Sequence, residues 1–140
     1  MKAKKGFTLV EILIVVVILG ILAAIVIPQF TEASTEAKKS SLRSDLQTVR
    51  SQIELYKIQH NDNPPPGDTA AAFVTAMTTT VAYNGTNYGP YLQQMPKNPF
   101  NGSSDIKVTG DPGAGDQGWW YDAETGAFKA NTPDHVGTEW

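Results

Sequence analysis

From Phe7 to Phe30 only Thr8, Glu11, Pro28 and Gln29 are polar or proline, and every other position is apolar or glycine. At the α-helical rise, Phe7–Ile27 is ~31 Å long, which matches the thickness of a bilayer's hydrocarbon core. Beyond Pro28 the pattern becomes amphipathic. Leu42, Leu46, Val49, Ile53 and Tyr56 recur at spacings of three and four, forming one apolar stripe with Arg43, Arg50, Glu54 and Lys57 opposite. Together the two stretches predict one helix of roughly fifty residues, bent at Pro28, whose ring removes a backbone donor and crowds the preceding turn. Asn61-Asp62-Asn63-Pro64-Pro65-Pro66-Gly67 stops it. Asp68 is a fair N-cap for a short second helix over Thr69–Met77, with Phe73, Val74 and Met77 facing inward. Thr78–Tyr91 carries turn signals at Asn84-Gly85 and Gly89-Pro90, and Ile106–Thr109 reads as a short strand. Trp119–Asp122 and Ala127–Ala130 read as a β-hairpin with Gly126 in its turn. Alternation there sends Trp119 and Tyr121 to one face and Trp120 to the other, so at least one ring is core. The predicted fold class is α+β: a long N-terminal helix, half transmembrane and half amphipathic, packed against a small antiparallel sheet.

Charge is as uneven as hydropathy. Residues 1–30 carry a net +2, with Lys2, Lys4 and Lys5 directly before the apolar run; residues 31–60 carry +1 and residues 61–140 carry −6. The positive-inside rule then places the N-terminus in the cytoplasm and the distal domain outside it. An acidic distal domain has no electrostatic attraction for phosphate backbones, so nucleic acid is not an expected partner. The chain has no cysteine, which excludes disulfides, thiolate metal sites and a Cys nucleophile, and only two histidines, His60 and His135. His60 ends the predicted helix, where a partly positive imidazole is favoured, and neither histidine has a credible catalytic partner. The expectation is a small membrane-anchored domain poorly equipped for catalysis, not an enzyme.

A signal peptide would have a shorter apolar region ending in a small-x-small cleavage site. A plain anchor would leave Glu11 unexplained, because a carboxylate inside the membrane costs roughly 2.5–3.5 kcal/mol and no Lys or Arg within the span can pair with it. Cutting the chain between Gly6 and Phe7 would supply a cation: the new α-amino group of Phe7. Pairing it with Glu11 of a neighbouring chain would neutralise both charges and set a register between subunits.

Lys5-Gly6-Phe7-Thr8-Leu9-Val10-Glu11 resembles the class III signal of type IV pilins and type II secretion pseudopilins, and the likeness runs from Lys5 to about Phe30. It implies that a prepilin peptidase cuts after Gly6 and methylates Phe7. Residues 1–6 would then be the leader, 7–30 the transmembrane and filament-core helix, and 31–140 a pilin-like globular domain. Glu11 would be the assembly carboxylate, and Gly20 and Pro28 fall where the family's helix is loosened or kinked. Met95-Pro96-Lys97-Asn98-Pro99-Phe100 is similar to the leucine-proline-lysine-aspartate-proline-tryptophan segment of major pseudopilins, with Met95, Asn98 and Phe100 as the departures. This favours the major pseudopilin of a type II secretion system over a type IV pilin of a surface pilus serving adhesion or motility. A membrane-anchored binding domain is the rival from another class, and no cluster of polar residues suggests its cleft.

The implied partners are other copies of the chain in a filament, minor pseudopilins, the prepilin peptidase, an assembly ATPase and a platform protein, with membrane lipid before assembly. The implied location is the inner membrane, crossed once, with the domain in the periplasm or outside. Because major pseudopilins commonly bind calcium in a C-terminal loop, the resemblance also raises Asp111, Asp116, Asp122 and Glu124, with Asp105 nearby, as calcium ligands. Solvated loop carboxylates are the alternative reading of the same residues. Asn84-Gly85-Thr86 and Asn101-Gly102-Ser103 match a glycosylation pattern that Asn-Gly turns also explain.

Overall fold

The computed structural model describes residues 6–113 and 115–132. One helix, α1 (Leu9–Gln59), runs through Pro28 without interruption. It belongs to two compact units, the first ending at Ala37 and the second beginning at Lys38.

In the first unit the helix is almost wholly apolar up to Phe30, mostly polar from Thr31 to Ala37, and buries none of its large side chains. Exposures from Phe7 to Phe30 lie between 51% and 82%, and the helix is long and apolar enough to cross a membrane. Because Pro28 has no N–H, the Ala24 carbonyl loses its helical donor. Just beyond, the Thr31 hydroxyl donates to the Ile27 carbonyl (3.0 Å) and the Thr35 hydroxyl to that of Thr31 (3.0 Å).

In the second unit the predicted stripe is the buried face of α1: Leu42, Leu46, Val49, Ile53 and Tyr56. The helix ends in a tight turn with Asn61 and Asp62 both at positive φ, and the Asp62 amide donates to the Lys57 carbonyl (2.8 Å). The second helix, α2, spans Ala70–Thr78 and buries Phe73, Ala76 and Met77, while Val74 is only half-buried. Its N-cap is Thr69, not Asp68: the Thr69 hydroxyl accepts from the Ala72 amide (3.1 Å). The turn-rich stretch that follows holds a hairpin absent from the sequence expectation. Strand β1 (Val81–Tyr83) pairs antiparallel with β2 (Thr86–Tyr88) about Asn84-Gly85. Positive φ at both turn residues is the geometry in which Asn-Gly closes a two-residue hairpin.

The second sheet is carried by the antiparallel pair β4 (Trp119–Asp122) and β5 (Ala127–Ala130), with Gly126 at positive φ in the turn. β3 shrinks to Ile106–Lys107 and joins β4 in parallel at the edge. Trp119, Tyr121, Phe128 and Ala130 point into the core, and Trp120 takes the outer face. Arg50 ties α1 to this sheet by donating from Nε to the Phe128 carbonyl (2.9 Å). Tyr121 ties the proline turn to it, its hydroxyl donating to the Pro65 carbonyl (2.7 Å). Burial pushes the Tyr121 phenol well above its ordinary range, with the nearby Asp122 charge adding to the shift.

Candidate functional site

The residues singled out for processing and assembly lie at the head of α1. Gly6 and Phe7 precede the helix in non-helical backbone. Phe7 is exposed, and nothing lies within 4 Å of where a Cβ on Gly6 would sit. The bond between them is therefore open to a protease. Lys2, Lys4 and Lys5 lie outside the described residues.

Thr8 starts the helix and Glu11 closes the start. The Thr8 hydroxyl accepts from the Glu11 amide (3.2 Å), while Glu11 Oε2 accepts from the Thr8 amide (3.2 Å) and the Thr8 hydroxyl (3.3 Å). This reciprocal capping box satisfies donors that a helix N-terminus otherwise leaves free. The carboxylate also sits where the helix dipole favours negative charge. Glu11 therefore has a neutral partner within its own chain, although the span supplies no cationic one. The signal was present as Thr8-Leu9-Val10-Glu11, a Ser/Thr-x-x-acid pattern before an apolar run. Gly20 is likewise open, with nothing within 4 Å of a would-be Cβ.

The structure does not bring the four loop acids together. Among the described residues no group of three or more His, Cys, Asp or Glu could hold an ion. Both oxygens of Asp122 serve the β4–β5 turn instead: Oδ2 accepts from the Thr125 hydroxyl (2.5 Å) and Oδ1 from the Glu124 amide (3.0 Å). The Thr125 hydroxyl first, and then the Glu124 amide, hold the Asp122 carboxyl below its usual range. Asp111 presents its main-chain oxygen to Lys107, and Asp105 presents its own to the Trp119 amide. The described carboxylates therefore form no ready cage for calcium, which takes about six to eight oxygens.

The Pro96–Phe100 segment is anchored to the sheet. Trp119 Nε1 donates to the Pro96 carbonyl (2.8 Å), and Asn98 is fully buried. Asn98 Nδ2 donates to the Gly118 carbonyl (2.8 Å) and its Oδ1 accepts from the Phe100 amide (2.9 Å). Gly118 is needed there because a Cβ would collide with the Ser103 carbonyl oxygen.

His60 is not at an exposed helix end. It is buried and stacked on Tyr56 (centroids 3.8 Å apart), with Tyr83 and Tyr88 beside it. Its Nδ1 donates to the Tyr56 carbonyl (2.9 Å), whereas Nε2 has no hydrogen-bond partner. Sequence reasoning missed this cluster because Tyr83 and Tyr88 reach His60 only through the β1–β2 hairpin. His135 lies outside the described residues.

Comparison with known proteins bears on both ends of this picture. A family model for the prokaryotic N-terminal methylation motif matches residues 1–27, and one for type II secretion system protein G matches residues 29–117. The chain is 31% identical over 112 residues to the type II secretion system core protein G of Pseudomonas aeruginosa, covering 80% of this chain and 79% of that protein. It is 31% identical over 113 residues to that of Vibrio cholerae, covering 81% and 77%. It is 28% identical over 113 residues to that of Escherichia coli K12, covering 81% and 78%. No solved structure matches the chain.

Proposed function

The chain belongs to the type II secretion system protein G family, the major pseudopilins, and on that premise we propose that it is processed between Gly6 and Phe7 and polymerised through Glu11. It is a structural subunit of a pseudopilus. One observation carries the processing and assembly reading: the N-terminal methylation motif coincides with a helical segment whose large apolar side chains are all left uncovered. Two environments can cover such a surface, lipid before assembly and the same segment of neighbouring subunits after it. Hydrophobicity changes little between them, so close packing must supply the gain, and Gly20, Ala23 and Ala24 permit close approach.

Moving the helix out of lipid needs external work, for which an assembly ATPase and a platform protein are the expected partners. The prepilin peptidase acts earlier, on the exposed Gly6–Phe7 bond. Its cut frees the Phe7 amine four residues from Glu11, and a cation on a neighbouring chain competes with Thr8 for that carboxylate. The three leader lysines orient the helix with its N-terminus in the cytoplasm and the domain in the periplasm.

The test is the intact mass, with N-terminal fragmentation, of protein purified from its native membrane. A chain beginning at Phe7 and carrying one added methyl group is expected. A chain still beginning at Met1 under native expression would remove the processing step on which assembly depends.

A further inference from the structure

The connection from β3 to β4 is rich in glycine and carries Pro112, so its shape has to be imposed from outside. Its main chain is gripped by side chains that flank it. Lys107, on β3, donates from Nζ to the Asp111 carbonyl (2.7 Å), and Trp120, on β4, donates from Nε1 to the Gly110 carbonyl (2.9 Å). Asn131, just past β5, is fully buried. Its Oδ1 accepts from the Gly113 amide (2.6 Å) and its Nδ2 donates to the Gln117 carbonyl (3.2 Å). That last carbonyl also accepts from Asn101 Nδ2 (3.1 Å). Lys107 and Trp120 are register partners and leave the sheet on the same face, where the Lys129 ammonium lies 5.5 Å from the indole centroid.

We propose that the Lys107 ammonium, together with Asn131, fixes this loop in place of the calcium ion that the family resemblance implies, so that the loop holds its shape without calcium. The argument is one of donors and charge. The loop oxygens at Gly110, Asp111 and Gln117 point at N–H donors, and the Asp122 carboxylate is committed to its own turn. A divalent ion brought to the Asp111 oxygen would meet a like charge already bonded there, which opposes its entry. An ammonium brings three donors and one positive charge, and needs no cage of carboxylates. The inference stands apart from the filament role, since a calcium-free loop is compatible with assembly or with its absence.

The experiment compares the full chain in detergent micelles with EDTA and with millimolar calcium chloride, reading the melting midpoint and hydrogen exchange of the Thr109–Gly113 amides. In the unmodified protein neither is expected to respond to calcium. Lys107→Met keeps the aliphatic stem and removes the donors. It is expected to lower the midpoint by about 2–5 °C and to speed loop exchange equally in both buffers, while Lys107→Arg restores protection. Calcium raising the midpoint or slowing loop exchange in the unmodified protein would overturn the proposal. So would a Lys107→Met loop that exchanges at the original rate.

Discussion

Asn98 uses its amide in both senses, donating to Gly118 and accepting from Phe100, and only a side chain with one donor and one acceptor end can do this. That explains the departure from the aspartate of the family segment. Asn98→Asp would keep the bond from Phe100 and set a carboxylate oxygen against the Gly118 carbonyl in a buried site. The expected cost at neutral pH is about 1–3 kcal/mol in urea denaturation. Because a protonated acid can donate to that carbonyl, stability should recover as pH falls through the carboxylate range. An equal loss at all pH values would mean that shape, not hydrogen bonding, fixes this residue. Asp122 behaves in the opposite sense. Its carboxyl titrates below the ordinary value in the folded chain, so its contribution is present above the unfolded aspartate range and is lost as pH falls through the lower folded value. Asp45, raised by burial, runs against it, since protonation favours the folded form. Asp122→Ala should therefore flatten the acid limb of the stability curve and leave the Asp45 rise in place. An unchanged acid limb would show that the turn does not depend on the carboxylate.

The long helix was legible because its two halves obey simple periodicities: continuous apolarity where nothing polar can be tolerated, then a stripe every three or four residues. Every stripe residue named from the sequence is buried. The β4–β5 hairpin was legible for a similar reason, since alternation separates Trp119 and Tyr121 from Trp120, and burial then shows which face is inward. The β1–β2 hairpin was not, because its three-residue strands carry no full alternation. Only the Asn84-Gly85 turn chemistry marked it. Thr69, read from the sequence as the first residue of α2, caps it instead of Asp68, because its hydroxyl is the one that reaches the Ala72 amide. Calcium entered through resemblance alone, and of the candidate carboxylates the hydrogen bonds occupy that of Asp122, which serves its own turn. The capping box at the head of α1 was written plainly as Thr8-Leu9-Val10-Glu11. Its meaning is obscured when a membrane carboxylate is weighed only against charged partners.

The molecule divides its labour along one helix. Among the described residues the buried apolar core lies between Leu42 and Ala130, whereas the apolar surface from Phe7 to Phe30 contributes nothing to it. Folding and polymerisation should then respond to different substitutions. Leu46→Ala empties a fully buried position and is expected to cost about 2–5 kcal/mol, a large share of a small domain's stability, while the chain is still inserted and cut after Gly6. Glu11→Ala touches no core residue, so the domain's unfolding midpoint should stay where it is in the unmodified chain. Filaments should nevertheless fail to form, because the carboxylate that pairs with the neighbouring Phe7 amine is gone. Measuring melting, the N-terminal mass and filament yield on both variants separates the two roles. If Glu11→Ala lowered the midpoint as much as Leu46→Ala, the head of the helix would be serving the fold. Normal filament yield from Glu11→Ala would instead remove the carboxylate from assembly, leaving close packing around Gly20 to set the register alone.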